Sequence, residues 1–274
     1  METRRISIQK VYSKGSRRLN EDALLIKGNI FGVFDGSSSL VKFVDKKGRT
    51  GGKIASTITK KVFSQDNKSL QELAVEANLE IKRQMEREKI DVSKKENLWG
   101  TKVAVVRIKN KEAECFQIGD SLIFIIRKDG FNKLLFGYKN HELETLKKWK
   151  KISEKKVKNI WNVLENQLIK TRRKVNVSYG CLDGEKEAAK FFNYQKVKLK
   201  NIKSIILFTD GLFLLKKDPS ESDNWDAFTK IYNKSGLKGI LKKIRDLENK
   251  DPYCWDYPRL KKHDDIAAIG IDFS

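Results

Sequence analysis

The chain has 274 residues, of which 39% are hydrophobic and 9% aromatic, so it is long and apolar enough to bury a sizeable core. Three widely spaced cysteines without a CxxC pair, and only two histidines, argue against a disulfide framework, a zinc site and Ser-His-Asp chemistry. The net charge of +22 fits either an anionic partner or lysines on solvated helix faces, and the even spread of the lysines favours the second interpretation.

The first third of the chain reads as strands followed by helices. Short apolar or alternating runs predict strands at 5–12, 22–27 and 30–35. From Gly51 onward apolar residues recur at helical spacing, which predicts a first helix. A second helix is expected to start at Ser69, because Glu72 three residues later completes a capping box.

The middle of the chain returns to strands, predicted at 102–108, 113–118, 121–127 and 131–136. The last two are joined through Asp129-Gly130, a hairpin signal, and strands joined by tight turns are antiparallel. A basic helical region follows at 142–170, in which Trp149 and Trp161 are expected to be core anchors. The remaining predicted elements are a strand at 204–208, helices at 224–233 and 236–248, and a strand at 266–272. This order predicts an α+β domain of sheets flanked by helices.

Several apolar strands begin or end at an aspartate. Asp35 and Asp210 each end a strand and precede a glycine, Asp120 lies between two strands, and Asp264 opens the last strand. One such aspartate is usually a turn former, but four in a chain poor in histidine and cysteine suggest oxygen ligands for a hard cation such as Mg²⁺ or Mn²⁺. Gly36 would let the backbone turn and offer its carbonyl as a further ligand.

The segment GSRRLNEDA contains an arginine that could bind a phosphate group. Arg17 lies five residues before Asp22, just ahead of a predicted strand. Its guanidinium has the geometry to bind two phosphate oxygens at once. Taken alone, this segment would read as a surface arginine pair beside an acidic turn.

In their order, these segments resemble the metal-dependent protein phosphatases of the PPM type, the type 2C serine/threonine phosphatases. The matching segments are RRLNEDA (17–23), VFDG (33–36), GGKIAS (51–56), GTKVAVV (100–106), IGDSLIFIIRKDG (118–130), LFTDG (207–211) and HDDIAAIGI (263–271). The resemblance implies an α+β fold with a central antiparallel β-sandwich flanked by helices on both faces, in four αββα layers. It also implies a single domain over 1–274, with a basic, flap-like helical insertion at about 137–175.

The resemblance further implies a centre for two Mn²⁺ or Mg²⁺ ions, with a third, weaker ion. The implied ligands are Glu21, Asp22, Asp35, Gly36, Asp120, Asp210 and Asp264. Asp35 would bridge the two ions, Asp210 and Asp264 would hold one of them, and Asp120 would support the third. Glu21 and Asp22 would serve the other core ion, directly or through water.

The implied reaction is hydrolysis of phosphoserine and phosphothreonine in proteins by a metal-bridged hydroxide, with Arg17 binding the substrate phosphate. Implied partners are phosphorylated proteins, including acidic ones, and a cognate Ser/Thr kinase. We expect a monomer that does not bind nucleic acid. No stretch of about 18 apolar residues occurs, and the first residues lead directly into a strand pattern, so we expect no membrane span and a cytoplasmic location.

Four departures from the family pattern stand out. Ser37–Ser39 replaces the His-Gly or Met-Gly-Gly that often follows this Asp-Gly, so a histidine general acid is missing there. Lys102 stands where threonine is common, Leu122 replaces a frequent arginine, and Ala267 replaces a threonine. None of these changes removes an implied ligand, so we expect activity, with substrate preference and turnover altered.

Three other functions fit part of the pattern. The chain could be a silent or weakly active phosphatase-fold module that binds phosphoprotein or a regulatory partner. It could be a phosphatase with Asp35 as covalent nucleophile, although the second acid expected two residues later is Ser37. A basic nucleic-acid-binding protein is the third possibility.

Overall fold

The computed structural model describes residues 5–158 and 160–274. Its strands are β1 Ile6–Ser13, β2 Ala23–Lys27, β3 Ile30–Ser37, β4 Gly100–Lys109, β5 Glu112–Ile118, β6 Leu122–Arg127, β7 Asn132–Leu134, β8 Asn193–Lys198, β9 Ile202–Phe208 and β10 Ile266–Phe273. Its α-helices are α1 Gly51–Phe63, α2 Leu70–Arg87, α3 Leu143–Ser153, α4 Ile160–Arg172 and α5 Trp225–Lys250. Short 3₁₀ turns lie at Lys95–Asn97, Lys186–Phe191 and Asp210–Leu212.

The strands form two five-stranded antiparallel sheets, ordered β1-β10-β9-β6-β7 and β2-β3-β4-β5-β8. One apolar core lies between the sheets and includes Phe31, Val33 and Leu207. A second core packs α1 and α2 on the outer face of the β3 sheet, and a third packs α5 on the outer face of the β9 sheet. The predicted four-layer αββα fold is therefore confirmed.

Local signals explain much of the element order. Ser69 and Glu72 form the predicted capping box at the start of α2, because each side chain accepts a backbone N–H at the helix end. The predicted break near 233–236 appears as a kink inside α5 at Gly236, whose φ is +62°. The edge strand β8 was not predicted, because its sequence NYQKVK is polar and its residues are largely exposed.

The segment 137–175 forms the two helices α3 and α4. Trp149 is buried, and its Nε1 donates a hydrogen bond of 2.7 Å to the carbonyl of Cys254, which ties α3 to the loop before β10. The side chain of Trp161 lies outside what the structure describes. Across the described ranges, no helix combines the length and apolar character needed to cross a membrane.

Candidate metal centre

The candidate centre lies at one end of the inter-sheet core. Along β3, Phe31 and Val33 face the opposite sheet, and Asp35 continues this alternation. Asp120 lies in the turn between β5 and β6, and Asp210 directly follows β9. One carboxylate oxygen from each of these three aspartates lies within 4.8 Å of the other two. The tertiary structure therefore brings together acids that are far apart in sequence.

The electrostatics of these acids favour a bound cation. Burial, followed by the charges of Asp35, Asp264 and Asp120, raises the pKa of Asp210 well above its ordinary value. The side chain of Asp120 is buried, and its Oδ1 has no hydrogen-bond partner among the described residues. Crowded carboxylates with an unsatisfied oxygen are the hard donor set that Mn²⁺ or Mg²⁺ prefers, so the residues fit such an ion.

Lys102 enters the same cluster. It is the cross-strand partner of Asp35 between β3 and β4, and its Nζ donates a hydrogen bond of 2.7 Å to Asp35 Oδ2. The same Nζ lies 3.8 Å from Oδ1 of Asp120. Burial opposes the ammonium charge, but Asp35, Asp120 and Asp210 outweigh it and raise the pKa of Lys102 well above its usual value. Lys102 is therefore charged at neutral pH.

Asp264 reaches the same cavity but is held by a second lysine. Lys261 Nζ donates a hydrogen bond of 2.5 Å to Asp264 Oδ1, which also accepts the backbone N–H of Asp265. Burial alone would raise the pKa of Asp264, but Lys261 overcomes this effect and lowers it. Among the described residues, Asp264 does not belong to the cluster of three aspartates whose oxygens lie within 4.8 Å of one another.

Glu21 and Asp22 lie beside the cluster, and their side chains already have protein partners. Arg17 donates to Glu21 Oε2 at 2.9 Å, and Ser38 Oγ donates to Glu21 Oε1 at 2.5 Å. The hydroxyl of Thr209 donates to Asp22 Oδ2 at 2.8 Å. Burial and then the charge of Asp35 raise the pKa of Asp22 well above its ordinary value. Glu21 borders the cavity, whereas Asp22 is buried and does not line it.

The loop after β3 depends on a close approach at Gly36. A Cβ on Gly36 would lie 2.4 Å from the carbonyl oxygen of Glu21 and 2.5 Å from that of Gly52, so a larger residue does not fit. Ser38 then accepts the backbone N–H of Gly52 at 3.1 Å. Ser38, the middle residue of the serine run, therefore links Glu21 to the start of α1 through two hydrogen bonds.

A cavity of about 1030 Å³ opens over the cluster. Arg17 borders it with its side chain 40% exposed. Arg172 of α4 also borders it, and its Nη2 donates a hydrogen bond of 2.5 Å to the carbonyl of Ser38. The insertion thus contacts the loop that follows Asp35 and contributes a cation to the cavity wall.

Sequence reasoning did not assign a role to several residues that the fold brings to the centre. His141 Nδ1 lies 3.3 Å from Asp120 Oδ2, and its ring stacks on Tyr179. Burial lowers the pKa of His141 to about 4, so it is neutral at pH 7. Burial raises the pKa of the neighbouring Glu142 to about 7. No local pattern marked these residues, because His141 and Glu142 reach the centre from the insertion and Tyr179 from just beyond it.

Lys102 did carry a signal. It lies in the apolar strand β4, on the same face as Ala104 and Val106 of the inter-sheet core. A lysine at such a position needs a buried anionic partner. That partner, Asp35, is 67 residues away in sequence, so no local pattern identified it.

The family model described as "Protein phosphatase 2C" matches residues 14–246. The chain belongs to this family. The match spans most of the chain and includes Arg17, Asp35, Asp120 and Asp210, while Asp264 lies beyond its end. No curated protein sequence matches at a significant level.

Several solved structures share the fold. The catalytic domain of the serine/threonine phosphatase PstP, solved with two manganese ions, has a TM-score of 0.61 at 15% identity and covers 99% of both chains. PppA of Pseudomonas aeruginosa has a TM-score of 0.60 at 14% identity and 98% coverage of both chains. MsPP of Mycobacterium smegmatis, a PPM Ser-Thr phosphatase, has a TM-score of 0.55 at 16% identity, also over 98% of both chains.

Proposed function

We propose that the chain is a metal-dependent protein phosphatase that hydrolyses phosphoserine and phosphothreonine. One observation carries this proposal: Asp35, Asp120 and Asp210 converge within 4.8 Å at the end of the inter-sheet core of a chain of the 2C family. Like-charged, buried carboxylates are costly to hold together unless a cation binds them.

In this proposal two Mn²⁺ or Mg²⁺ ions are held at the cluster. The proposed ligands are Glu21, Asp22, Asp35, the Gly36 carbonyl, Asp120, Asp210 and Asp264. When bound, such ions would lower the pKa of water and so supply a nucleophile at neutral pH. Ser38 and Arg17 hold the Glu21 carboxylate, which would help to bind such ions. Gly36 would offer its carbonyl, and its close approach to Glu21 and Gly52 leaves no room for a side chain there.

Arg17 is the proposed phosphate-binding residue. Among the described residues, Arg17 donates a side-chain hydrogen bond only to Glu21, through Nη1. Its other guanidinium N–H groups can therefore donate to phosphate oxygens. Because Glu21 fixes one edge of the guanidinium, less side-chain entropy is lost when phosphate binds. Arg17 would thereby orient the phosphorus and balance negative charge on its oxygens.

The rim of the cavity supports phosphoprotein substrates with acidic segments. Seven cationic residues besides Arg17 line the cavity together with ten acidic residues, and these cations are Arg18, Lys42, Lys102, Arg172, Lys216, Arg259 and Lys261. Lys102, Lys216, Arg259 and Lys261 are paired with carboxylates. Cations such as Arg18, Lys42 and Arg172, which form no ion pair with a described residue, can attract anionic ligands. We propose that the chain acts as a cytoplasmic monomer and opposes a cognate Ser/Thr kinase.

Turnover of a phosphothreonine peptide with Mn²⁺, with Mg²⁺ and with EDTA tests the proposal. We expect release of phosphate with metal, none with EDTA, and none from Asp35→Asn with metal. Asp183→Asn is the matched control, because Asp183 is also buried but lies outside the cluster. Turnover by Asp35→Asn at the wild-type rate, or no turnover by the wild type with any metal, would overturn the proposal.

A second candidate is a silent module that binds phosphoprotein. The observation that favours it is the pair of lysines, Lys102 and Lys261, that already neutralise Asp35 and Asp264. Binding of the phosphothreonine peptide without phosphate release, at saturating Mn²⁺, would support this candidate over the enzyme.

A further inference from the structure

We infer that the ammonium group of Lys102 is a built-in cation of the acid cluster, which occupies the space between Asp35 and Asp120 and excludes a further divalent ion from it. The chain would then bind at most two divalent ions, because one cationic position belongs to the protein itself. The inference rests on the proposed function only in assuming that the cluster binds metal ions.

The contacts of Lys102 place its charge between two carboxylates. Its Nζ is 2.7 Å from Asp35 Oδ2 and 3.8 Å from Asp120 Oδ1. That Asp120 oxygen has no hydrogen-bond partner among the described residues, so the ammonium is the nearest compensation the structure offers it. A divalent ion bound to both carboxylates would need the volume that the ammonium fills.

The backbone holds the lysine in this position. Lys102 pairs with Asp35 across β3 and β4, so their side chains leave the sheet on the same face. Its aliphatic stem passes over Gly119, where a Cβ would lie only 2.4 Å from Lys102 Cγ. Gly119 also has a φ of +78°, which disfavours any other residue. The side chain of Lys102 is 11% exposed, so it has little room to swing into solvent.

The charge of the cluster also fits this assignment. Four aspartates, at positions 35, 120, 210 and 264, share the cavity, and Lys102 and Lys261 supply two positive charges. Among the described residues, Asp35 and Asp264 accept hydrogen bonds from these two ammonium groups, whereas Asp120 and Asp210 do not. A metal ion at Asp120 would have to bind beside the Lys102 ammonium, where like charges repel strongly at low dielectric.

Counting bound Mn²⁺ tests the inference without using activity. Free Mn²⁺ is followed by electron paramagnetic resonance while metal-free protein is titrated. We expect at most two ions per wild-type chain, and one more in Lys102→Met, which keeps the apolar stem but removes the charge. We also expect the remaining ions to bind Lys102→Met more tightly, by about tenfold. Equal ion counts in both proteins, or three ions on the wild type, would overturn the inference.

The matched control is Lys95→Met. Lys95 Nζ also forms a 2.7 Å ion pair, with Glu185, and its side chain is 25% exposed, but it lies outside the cluster. This variant should bind as many ions as the wild type, and a gain of an ion here would contradict the inference. If Lys102→Met does not fold, Lys102→Gln, which keeps a hydrogen-bond donor for Asp35, replaces it. Equal ion counts in this variant and the wild type, or three ions on the wild type, would again overturn the inference. If neither folds, the wild-type count alone decides: two or fewer supports the inference.

Phosphopeptide turnover measured on the same samples separates this inference from the proposed function. An extra ion in Lys102→Met with no turnover in any sample would uphold the role of Lys102 and reject the phosphatase. Turnover in the wild type with three bound ions would do the reverse.

Discussion

Two sides of the acid-lined cavity are neutralised differently. On one side, Asp35 and Asp264 each accept a hydrogen bond from a lysine ammonium, at 2.7 and 2.5 Å. On the other, Asp210 accepts no such hydrogen bond from a described residue, and burial with the nearby carboxylates raises its pKa well above the ordinary value. The chain thus provides its own cations at two acids and leaves another for a cation from solution.

This difference shows where a metal ion contributes most. At a carboxylate already paired with lysine, an incoming ion must displace or repel the ammonium. At Asp210 the ion relieves repulsion that the folded chain otherwise bears. Without metal, a substitution that removes the charge of Asp264 should therefore lower stability, whereas one that removes the charge of Asp210 should raise it.

The largest expected effect is on catalysis by Asp210→Asn. Because Asp210 is the acid without a lysine partner, we expect its loss to reduce Mn²⁺-dependent turnover of a phosphothreonine peptide by about a hundredfold or more. Circular dichroism should show an intact fold. A rate within a few-fold of the wild type would remove Asp210 from the proposed centre.

The next largest effect should come from Arg17→Lys. Lysine keeps the charge but lacks the planar fork that binds two phosphate oxygens, so the KM for the phosphopeptide should rise by about tenfold. Mn²⁺ affinity should change much less, because the substitution keeps a positive charge beside Glu21, the one carboxylate that Arg17 contacts among the described residues. Steady-state kinetics and a metal titration measure the two quantities. An unchanged KM would contradict the assignment of Arg17 to phosphate.

A comparison of stability in EDTA tests the contrast directly. Asp264→Asn leaves the ammonium of Lys261 without its partner and should lower the free energy of unfolding by about 1 kcal/mol. Asp210→Asn removes an unfavourable buried charge and should raise the melting temperature by about 2–4 °C. Urea and thermal unfolding provide the two measurements. Shifts of the same sign in both variants would mean that the two sides do not differ.

The smallest expected effect concerns the insertion. Arg172→Met removes a cation from the cavity wall and its hydrogen bond to Ser38, so the KM for an acidic phosphopeptide should rise by about two- to threefold. The neighbouring Arg173, which is 66% exposed and pairs with Glu96, supplies the control Arg173→Met. Equal effects of the two variants would show that only general surface charge matters.

Much of the fold could be predicted because local patterns specify it. The apolar runs of β3 and β4, the capping box at Ser69 and the hairpin at Asp129-Gly130 depend on residues close in sequence. The edge strand β8 could not be predicted, since a polar, exposed strand exists only because β5 offers it hydrogen bonds. The roles of individual site residues, including Arg17 and Asp264, stay predictions until the variants are measured.

By itself, the sequence determined most of the strands, the helices and the acids at the strand ends, because side-chain periodicity and turn residues act over a few positions. Only the tertiary structure decided which charges meet. Lys102 reaches Asp35 through cross-strand pairing, Lys261 reaches Asp264 through the loop before β10, and His141 reaches Asp120 from the insertion. Electrostatic pairing depends on the distance between two charges in space, and the fold, not the separation along the sequence, sets that distance.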